Sequence, residues 1–264
     1  MCRYGSVVSS AAARPRYNSI GRDYVLTRRE DPRLAARIHR ELGDARSVVN
    51  VGAGAGSYEP RDRHVIAIEP SDVMADQRPA ELAPALRATA GDLPLRDRSV
   101  DAAMAVLALH HWDDEQELGV RELRRVARDA VVIVTYDARI SGQMWLMADY
   151  LPEVAGLDRR IFPSPDLIAA WLGGSTVVEP LPIPRDTPDW TLGSFWAHPE
   201  RVLDEDARAA TSGFARMPEP VVRRVVNAVT ADLASGAWDR RHGHLRGLDA
   251  YDAGLRLIVN TPAA

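Results

Sequence analysis

Short apolar runs alternate with amphipathic segments along the chain. Three runs rich in valine and isoleucine predict strands that are buried on both faces of a parallel sheet. They lie at residues 48–51, 65–68 and 131–136. Helical spacing of apolar residues is found at 115–127 and also before the first strand, where Asp31-Pro32 is a typical helix start. This order of elements predicts an α/β fold with a mostly parallel sheet.

Three further apolar runs predict the remaining strands. They lie at residues 103–109, 176–182 and 254–260. The last two are separated by about 70 residues, far more than a hairpin loop needs. This insertion is rich in aromatic residues, and we expect it to form a helical cap over the carboxyl edge of the sheet. The predicted units are an N-terminal arm, a core in two pieces, and the cap, at residues 1–30, 31–182 plus 253–264, and 183–252.

A glycine-rich loop follows the first strand. Gly52, Gly54 and Gly56 occupy every second position, in a G-x-G-x-G spacing that differs from the dinucleotide G-x-G-x-x-G. Such a loop at the carboxyl end of a parallel strand is a typical nucleotide site, because glycine lets a ligand approach the backbone. The second strand ends in Glu69, close to the offset of about 20 residues at which an acid binds ribose hydroxyls.

This pattern resembles the class I S-adenosylmethionine-dependent methyltransferases, in particular the small-molecule type 11 (UbiE-like) subgroup, over residues 17–137. The resemblance implies a Rossmann-like sheet of order 3-2-1-4-5-7-6, with the last strand antiparallel and the cap between strands six and seven. It implies S-adenosylmethionine as the cofactor. The implied cofactor-binding residues are Asn50, Gly52, Ala53, Gly54, Glu69, Pro70, Met74, Asp92, Leu93, Leu107, Tyr17 and Arg28.

Several of these positions have a second interpretation. Met74 either flanks the adenine or is a core methionine. Asp92, in the Gly-Asp-Leu-Pro stretch after the expected third strand, either accepts the adenine amino group or caps a turn. Tyr17 and Arg28 either fold over the cofactor or lie on the surface of the arm.

Two features depart from the family pattern. Only eight residues, interrupted by Pro60, separate Gly56 from the second strand, fewer than the ~10–12 of a usual crossover. We therefore expect the first crossover helix to be cut to about one turn, which leaves more of the cofactor contact to loop amides. In addition, Asn50 stands where the family usually has an acid that faces the cofactor's ammonium group. Asparagine can accept a hydrogen bond but brings no charge.

His110 and His111 are expected at the carboxyl end of the fourth strand, where this architecture places its chemistry. Either imidazole can serve as a general base near neutral pH. Both can equally be scaffold that holds the cofactor. A metal site is not expected, because no third ligand is spaced to join the pair.

Composition limits both the chemistry and the kinds of binding partner expected for the chain. The chain has 264 residues, a formal net charge of −4, one cysteine and no lysine. The single cysteine excludes an internal disulfide and the cysteine cluster of radical enzymes, and the missing lysine excludes Schiff-base and P-loop chemistry. No signal peptide or membrane span is expected. We expect a cytoplasmic monomer or homodimer that binds a small-molecule acceptor and neither nucleic acid nor membrane.

The function predicted from these observations is methyl transfer from S-adenosylmethionine to a small-molecule acceptor, a secondary metabolite or another apolar or aromatic metabolite. The sulfonium activates the methyl group, so the protein mainly aligns the reactants and excludes water. Two alternatives stay open at this point. One is a non-catalytic S-adenosylmethionine-binding module, which Asn50 and the short crossover favour. The other is an NAD-dependent oxidoreductase, which the glycine spacing opposes.

Overall fold

The computed structural model describes residues 28–262. Tyr17 and most of the predicted arm lie outside this range. The strands are β1 (Ser47–Val51), β2 (His64–Ile68), β3 (Val100–Val106), β4 (Ala127–Tyr136), β5 (Ser175–Pro180), β6 (Ile183–Pro184), β7 (Ala250–Tyr251) and β8 (Leu255–Thr261). The α-helices are α1 (Pro32–Glu41), α2 (Asp72–Ala75), α3 (Gln116–Val126), α4 (Ala138–Ser141), α5 (Pro152–Ile161), α6 (Pro165–Leu172), α7 (Glu205–Ala209), α8 (Ser212–Ala215), α9 (Glu219–Ala234) and α10 (Ala237–His242).

Six strands form the central sheet in the order β2-β1-β3-β4-β8-β5. The first four are parallel, and β8 runs antiparallel between β4 and β5. The Rossmann-like class and the antiparallel final strand are therefore confirmed. The first helix also begins as expected, since the Asp31 side chain accepts a hydrogen bond from the Arg33 amide.

The expected outer strand beside β2 is reduced to a single bridge. Leu86 pairs with Ile68, and its amide donates to the carbonyl of Ala67 at 2.8 Å. The strand is expected at Ala88-Thr89-Ala90, directly before Gly91-Asp92, and alanine has low strand propensity. The sheet of residues 28–262 consequently ends at β2, and the stretch that contains Asp92 is not held in a strand.

Side chains alternate between two cores, one on each face of the sheet. Met104 and Val132 face the first core, and Ala103 and Val131 face the second. Helices α3 and α6 cover the second core. The insertion covers the first with large aromatic side chains such as Trp196 and Trp238, both fully buried. Strands β6 and β7 pair at the two ends of the insertion and hold it against the sheet.

Strand β3 ends earlier than its apolar run suggests. Leu107 has a φ of 52°, which ends the extended backbone, and Leu109–His111 forms one turn of 3₁₀ helix. Ala108 and Leu109 are buried although they are not in the strand. This turn places both histidines at the carboxyl edge, next to the loop that follows β1.

Candidate functional site

The glycine loop turns sharply at the end of β1. Gly52 and Gly54 have φ values of 74° and 51°, in the left-handed region that side chains disfavour. A Cβ atom on Gly52 would lie 2.5 Å from the Cβ of Ala108 in the neighbouring β3 loop. Gly52 is therefore required by the packing of the protein itself. A Cβ on Gly54 would meet only the methyl of Met74, at 3.3 Å, so the space above Gly54 is left to a ligand.

Glu69 joins the loops that follow β1 and β2. One carboxylate oxygen accepts a hydrogen bond from the Gly54 amide and the other from the Ser71 amide, each at 2.8 Å. Burial raises the pKa of the Glu69 carboxyl, and the two backbone amides oppose this shift. Each oxygen keeps a second lone pair that can accept a hydroxyl hydrogen. This geometry suits a vicinal diol.

A cleft of about 850 Å³, open at its mouth, runs along these loops. The predicted residues in its lining are Arg28, Asn50, Gly52, Ala53, Gly54, Glu69, Pro70, Met74, Leu107 and His111. Residues that sequence reasoning did not select also line it, among them Tyr58 and Trp112. Tyr58 lies in the short crossover. An aromatic residue so close to a glycine loop is the sequence feature that could have identified it as part of the cleft.

Asn50 sits in the wall of this cleft and is 2% exposed. Its Nδ2 donates to the Oε1 of Glu59 at 3.0 Å. Within residues 28–262, no group donates a hydrogen bond to its Oδ1. A buried acceptor without a partner, a carboxylate suited to a diol and a glycine cradle are the groups that an adenosyl amino acid would engage. The residues present therefore fit S-adenosylmethionine.

Three predicted residues lie elsewhere. Asp92 is exposed and does not line the cleft. Leu93 is buried in the second core, and its amide donates to the Glu122 carboxylate at 3.1 Å. The structure thus does not bring this pair to the cleft, because the third strand that would position them is missing. His110 lines a second cavity instead.

The two histidine rings are in contact, tilted by 44° to each other, but face different spaces. Their ring centroids are 3.8 Å apart, and His110 also stacks on Phe162 at 4.4 Å. His111 lines the cofactor cleft, and its Nδ1 lies 3.4 Å from a guanidinium nitrogen of Arg216. A guanidinium can only donate, so this contact requires an unprotonated Nδ1. In neutral His111 the proton therefore lies on the other ring nitrogen, Nε2.

The second cavity, of about 520 Å³, adjoins the cleft. Leu107 and Arg28 line both spaces. The remaining lining residues come from the turn after β3, from β4, from α5 and the residue that follows it, and from the insertion: His110, Tyr136, Asp158, Phe162, Thr191, Leu192, Thr211, Ser212 and Gly213. The Tyr136 hydroxyl lies 3.0 Å from that of Thr191, and burial raises the pKa of Tyr136 to about 12.

Asp158 brings a carboxyl group to this second cavity. Burial raises its pKa to about 7, although the charge of Arg216 opposes the shift. Within the described range, no hydrogen bond or ion pair of the Asp158 carboxyl group is found. A carboxyl that titrates near neutrality can take a proton from a hydroxyl or amine that enters the cavity.

Arg28 crosses the boundary between the two spaces. Its Nε donates to Asp189 of the insertion at 2.6 Å, and the Tyr58 hydroxyl donates to the other oxygen of Asp189 at 2.8 Å. The backbone of Arg28 also forms a bridge with Asp189. These contacts connect the segment before α1, the crossover and the insertion above both cavities.

Residues 28–262 contain no cluster of three or more acidic, histidine or cysteine side chains with metal-binding geometry. None of the helices in this range combines the length and the apolar character that a membrane crossing requires.

Comparison with known proteins gives the family. The family model for a methyltransferase domain matches residues 49–135. A structure from Anabaena variabilis ATCC 29413, described as a candidate methyltransferase from an antibiotic biosynthesis pathway, is 31% identical, with a TM-score of 0.81. That alignment covers 89% of this chain and 99% of the other. The chain belongs to the class I S-adenosylmethionine-dependent methyltransferases of the type 11 subgroup. It is an enzyme of that kind, and its cofactor is S-adenosylmethionine.

A more distant structure shares the fold alone. It is the Haemonchus contortus phosphoethanolamine N-methyltransferase 2 with S-adenosyl-L-methionine, which is 13% identical with a TM-score of 0.52. The alignment covers 88% of this chain and 53% of that one. A search of curated protein sequences gave no match.

Proposed function

We propose that the enzyme methylates a small molecule that binds in the second cavity, with the insertion at 183–252 as the cap of this acceptor site. The observation that carries the proposal is the position of the cavity. It adjoins the cofactor cleft at Leu107 and is closed by Thr191, Leu192 and Thr211–Gly213 of the insertion.

The lining indicates the character of the acceptor. Phe162, Tyr136 and Leu192 provide apolar and aromatic surface, and Asp158 and Thr211 provide polar groups. This mixture suits an aromatic or apolar metabolite that carries one nucleophilic hydroxyl or amine. The relative from Anabaena variabilis is described as belonging to an antibiotic biosynthesis pathway, which supports a secondary metabolite.

In this proposal the residues around the two spaces act mainly by orientation. The sulfonium of the cofactor supplies an activated methyl group. The cleft fixes the cofactor, the second cavity holds the acceptor, and the contact between Arg28 and Asp189 covers the passage between them. Bringing nucleophile and methyl carbon into line provides most of the acceleration, since little bond polarisation is left to the protein. His111 and Asp158 are the candidate bases where the nucleophile arrives protonated.

The test is to fill the cavity. Wild type is first incubated with methyl-labelled S-adenosylmethionine and a panel of small phenols, aromatic amines and carboxylic acids, and labelled product is followed. Leu192→Trp should abolish transfer to every acceptor found while calorimetric affinity for S-adenosylhomocysteine stays constant. Leu203→Trp is the matched control, because Leu203 is in the same insertion, is 40% exposed and does not line the cavity. Full transfer by Leu192→Trp would contradict the proposed acceptor site.

A further inference from the structure

We propose that Glu59 is a positioning residue for the cofactor. It fixes the side-chain amide of Asn50 so that Oδ1 accepts a hydrogen bond from the ammonium group at the amino-acid end of S-adenosylmethionine. Glu59 does not line the cleft itself and acts through Asn50.

The orientation of Asn50 follows from the chemistry of its neighbour. A carboxylate only accepts hydrogen bonds, so the Asn50 nitrogen must face Glu59, which it does at 3.0 Å. The Asn50 oxygen is then directed away from Glu59. That oxygen has no partner within residues 28–262, although Asn50 is 2% exposed and lines the cleft. Buried acceptors are normally satisfied, and a ligand ammonium group would satisfy this one.

Glu59 is itself held in place. Its second oxygen accepts from Arg78 at 2.8 Å, and the two side chains are 1% and 3% exposed. Arg78 also donates to the Gly54 carbonyl at 3.2 Å. The Glu59 carboxylate therefore cannot rotate away from Asn50 without breaking a buried ion pair.

This arrangement accounts for the missing acid at position 50. An aspartate there would face Glu59 across about 3 Å, and two buried carboxylates at that distance cannot both be charged. Asn50 and Glu59 together provide the polarity that the family usually obtains from one acidic residue. The negative charge lies one side chain further from the cleft.

The test variant is Glu59→Gln, measured by calorimetry with two ligands. Arg78 needs an acceptor, so the glutamine oxygen should face Arg78 and its nitrogen should face Asn50. Asn50 would then turn its own nitrogen toward the cleft, where it repels an ammonium group. Affinity for S-adenosylhomocysteine should fall at least ~10-fold, as expected for a lost charged hydrogen bond. Affinity for 5′-methylthioadenosine, which lacks the amino-acid end, should not change.

Three further variants define the result. Glu69→Ala should weaken both ligands, because both contain the ribose. The double variant Asn50→Asp with Glu59→Gln places the acid at position 50 without a second carboxylate and should recover S-adenosylhomocysteine affinity. If thermal melting shows that Glu59→Gln does not fold, the same two ligands are compared with Asn50→Ala, which leaves the Glu59–Arg78 pair intact.

Three outcomes would overturn the proposal. Equal losses for the two ligands would mean that Glu59 only supports the glycine loop. Unchanged affinity for S-adenosylhomocysteine would mean that Asn50 does not contact the ammonium group. Failure of the double variant to recover affinity would mean that an acceptor at position 50 does not contact the ammonium group.

Discussion

Asp158 gives a prediction that needs no acceptor. The residue lies on α5 at the wall of the second cavity, and burial raises its pKa from the ordinary 3.8 to about 7. In the unfolded chain the carboxyl titrates near ~3.9. Because the folded-state value is the higher one, the contribution of Asp158 to stability is full below about pH 4 and is lost as the pH rises to about 7. Asp158→Asn removes this loss, because the amide stays neutral.

The size of the effect follows from the same shift. A rise from 3.8 to about 7 corresponds to at most ~4 kcal/mol, at about 1.4 kcal/mol for each pH unit. The carboxyl borders an open cavity, so water reduces this to an expected gain of about 1–2 kcal/mol for Asp158→Asn at pH 8. At pH 4 the two proteins should be nearly equally stable.

The assay is urea unfolding of wild type and variant at pH 4 to 8. The difference between the two proteins isolates Asp158, because the other carboxyl groups titrate in both. Asp44→Asn is the matched control, since Asp44 is exposed in the turn after α1, and its difference should stay near zero. A difference for Asp158→Asn that does not change with pH, or a variant less stable than wild type at pH 8, would refute the reasoning.

Two predictions concern the cofactor cleft. Gly54→Val should abolish calorimetric binding of S-adenosylhomocysteine, because the branched side chain would occupy the space above the loop. The φ of 51° costs only about 1–2 kcal/mol of strain, so the variant should still melt cooperatively. Retained binding would mean that the cofactor does not cross this loop. His111→Ala should lower cofactor affinity and leave turnover at saturation nearly unchanged, as expected for a residue that only holds the cofactor. A turnover loss of ~10²–10⁴-fold at constant affinity, with loss of an acidic limb in the pH–rate profile, would instead identify His111 as a general base.

The parts of the site that could be predicted from the sequence are those whose geometry depends on residues close together in the chain. A β-branched run that ends in glycines, followed by a second run that ends in Glu69, defines its own geometry, because parallel strands bring their carboxyl ends to one edge. The short crossover was predicted in the same way, and no helix lies between β1 and β2 in the structure. Asp92 differs, because its position depended on a third strand, which the structure reduces to the single bridge at Leu86.

The remaining contacts join residues far apart in the chain. Arg28 and Asp189 are 161 positions apart, and Tyr58 and Asp189 are 131 apart. No local pattern marks such pairs, since an exposed loop aspartate and a buried one look alike in sequence. Asp158 is a similar case. It is followed by Arg159 and Arg160 near the end of an amphipathic helix, a position that the sequence alone would assign to the solvent-facing side, and only the packing around the second cavity encloses it.

The short crossover also changes what holds the glycine loop. In most Rossmann-like sites a helix begins at this loop, and its dipole and free amides support the ligand. Here Arg78 takes over the structural part of that task, since its guanidinium bonds the Gly54 carbonyl, Glu59 and the Ala83 carbonyl. Loss of one partner of such a buried pair typically costs ~3–5 kcal/mol, so these contacts restrain the loop. The support comes from a residue 24 positions after Gly54, outside the span that a glycine motif covers. The departure from the family pattern therefore moves the support of the loop downstream, to Arg78, and leaves Asn50, Glu69 and the loop residues as lining of the cleft.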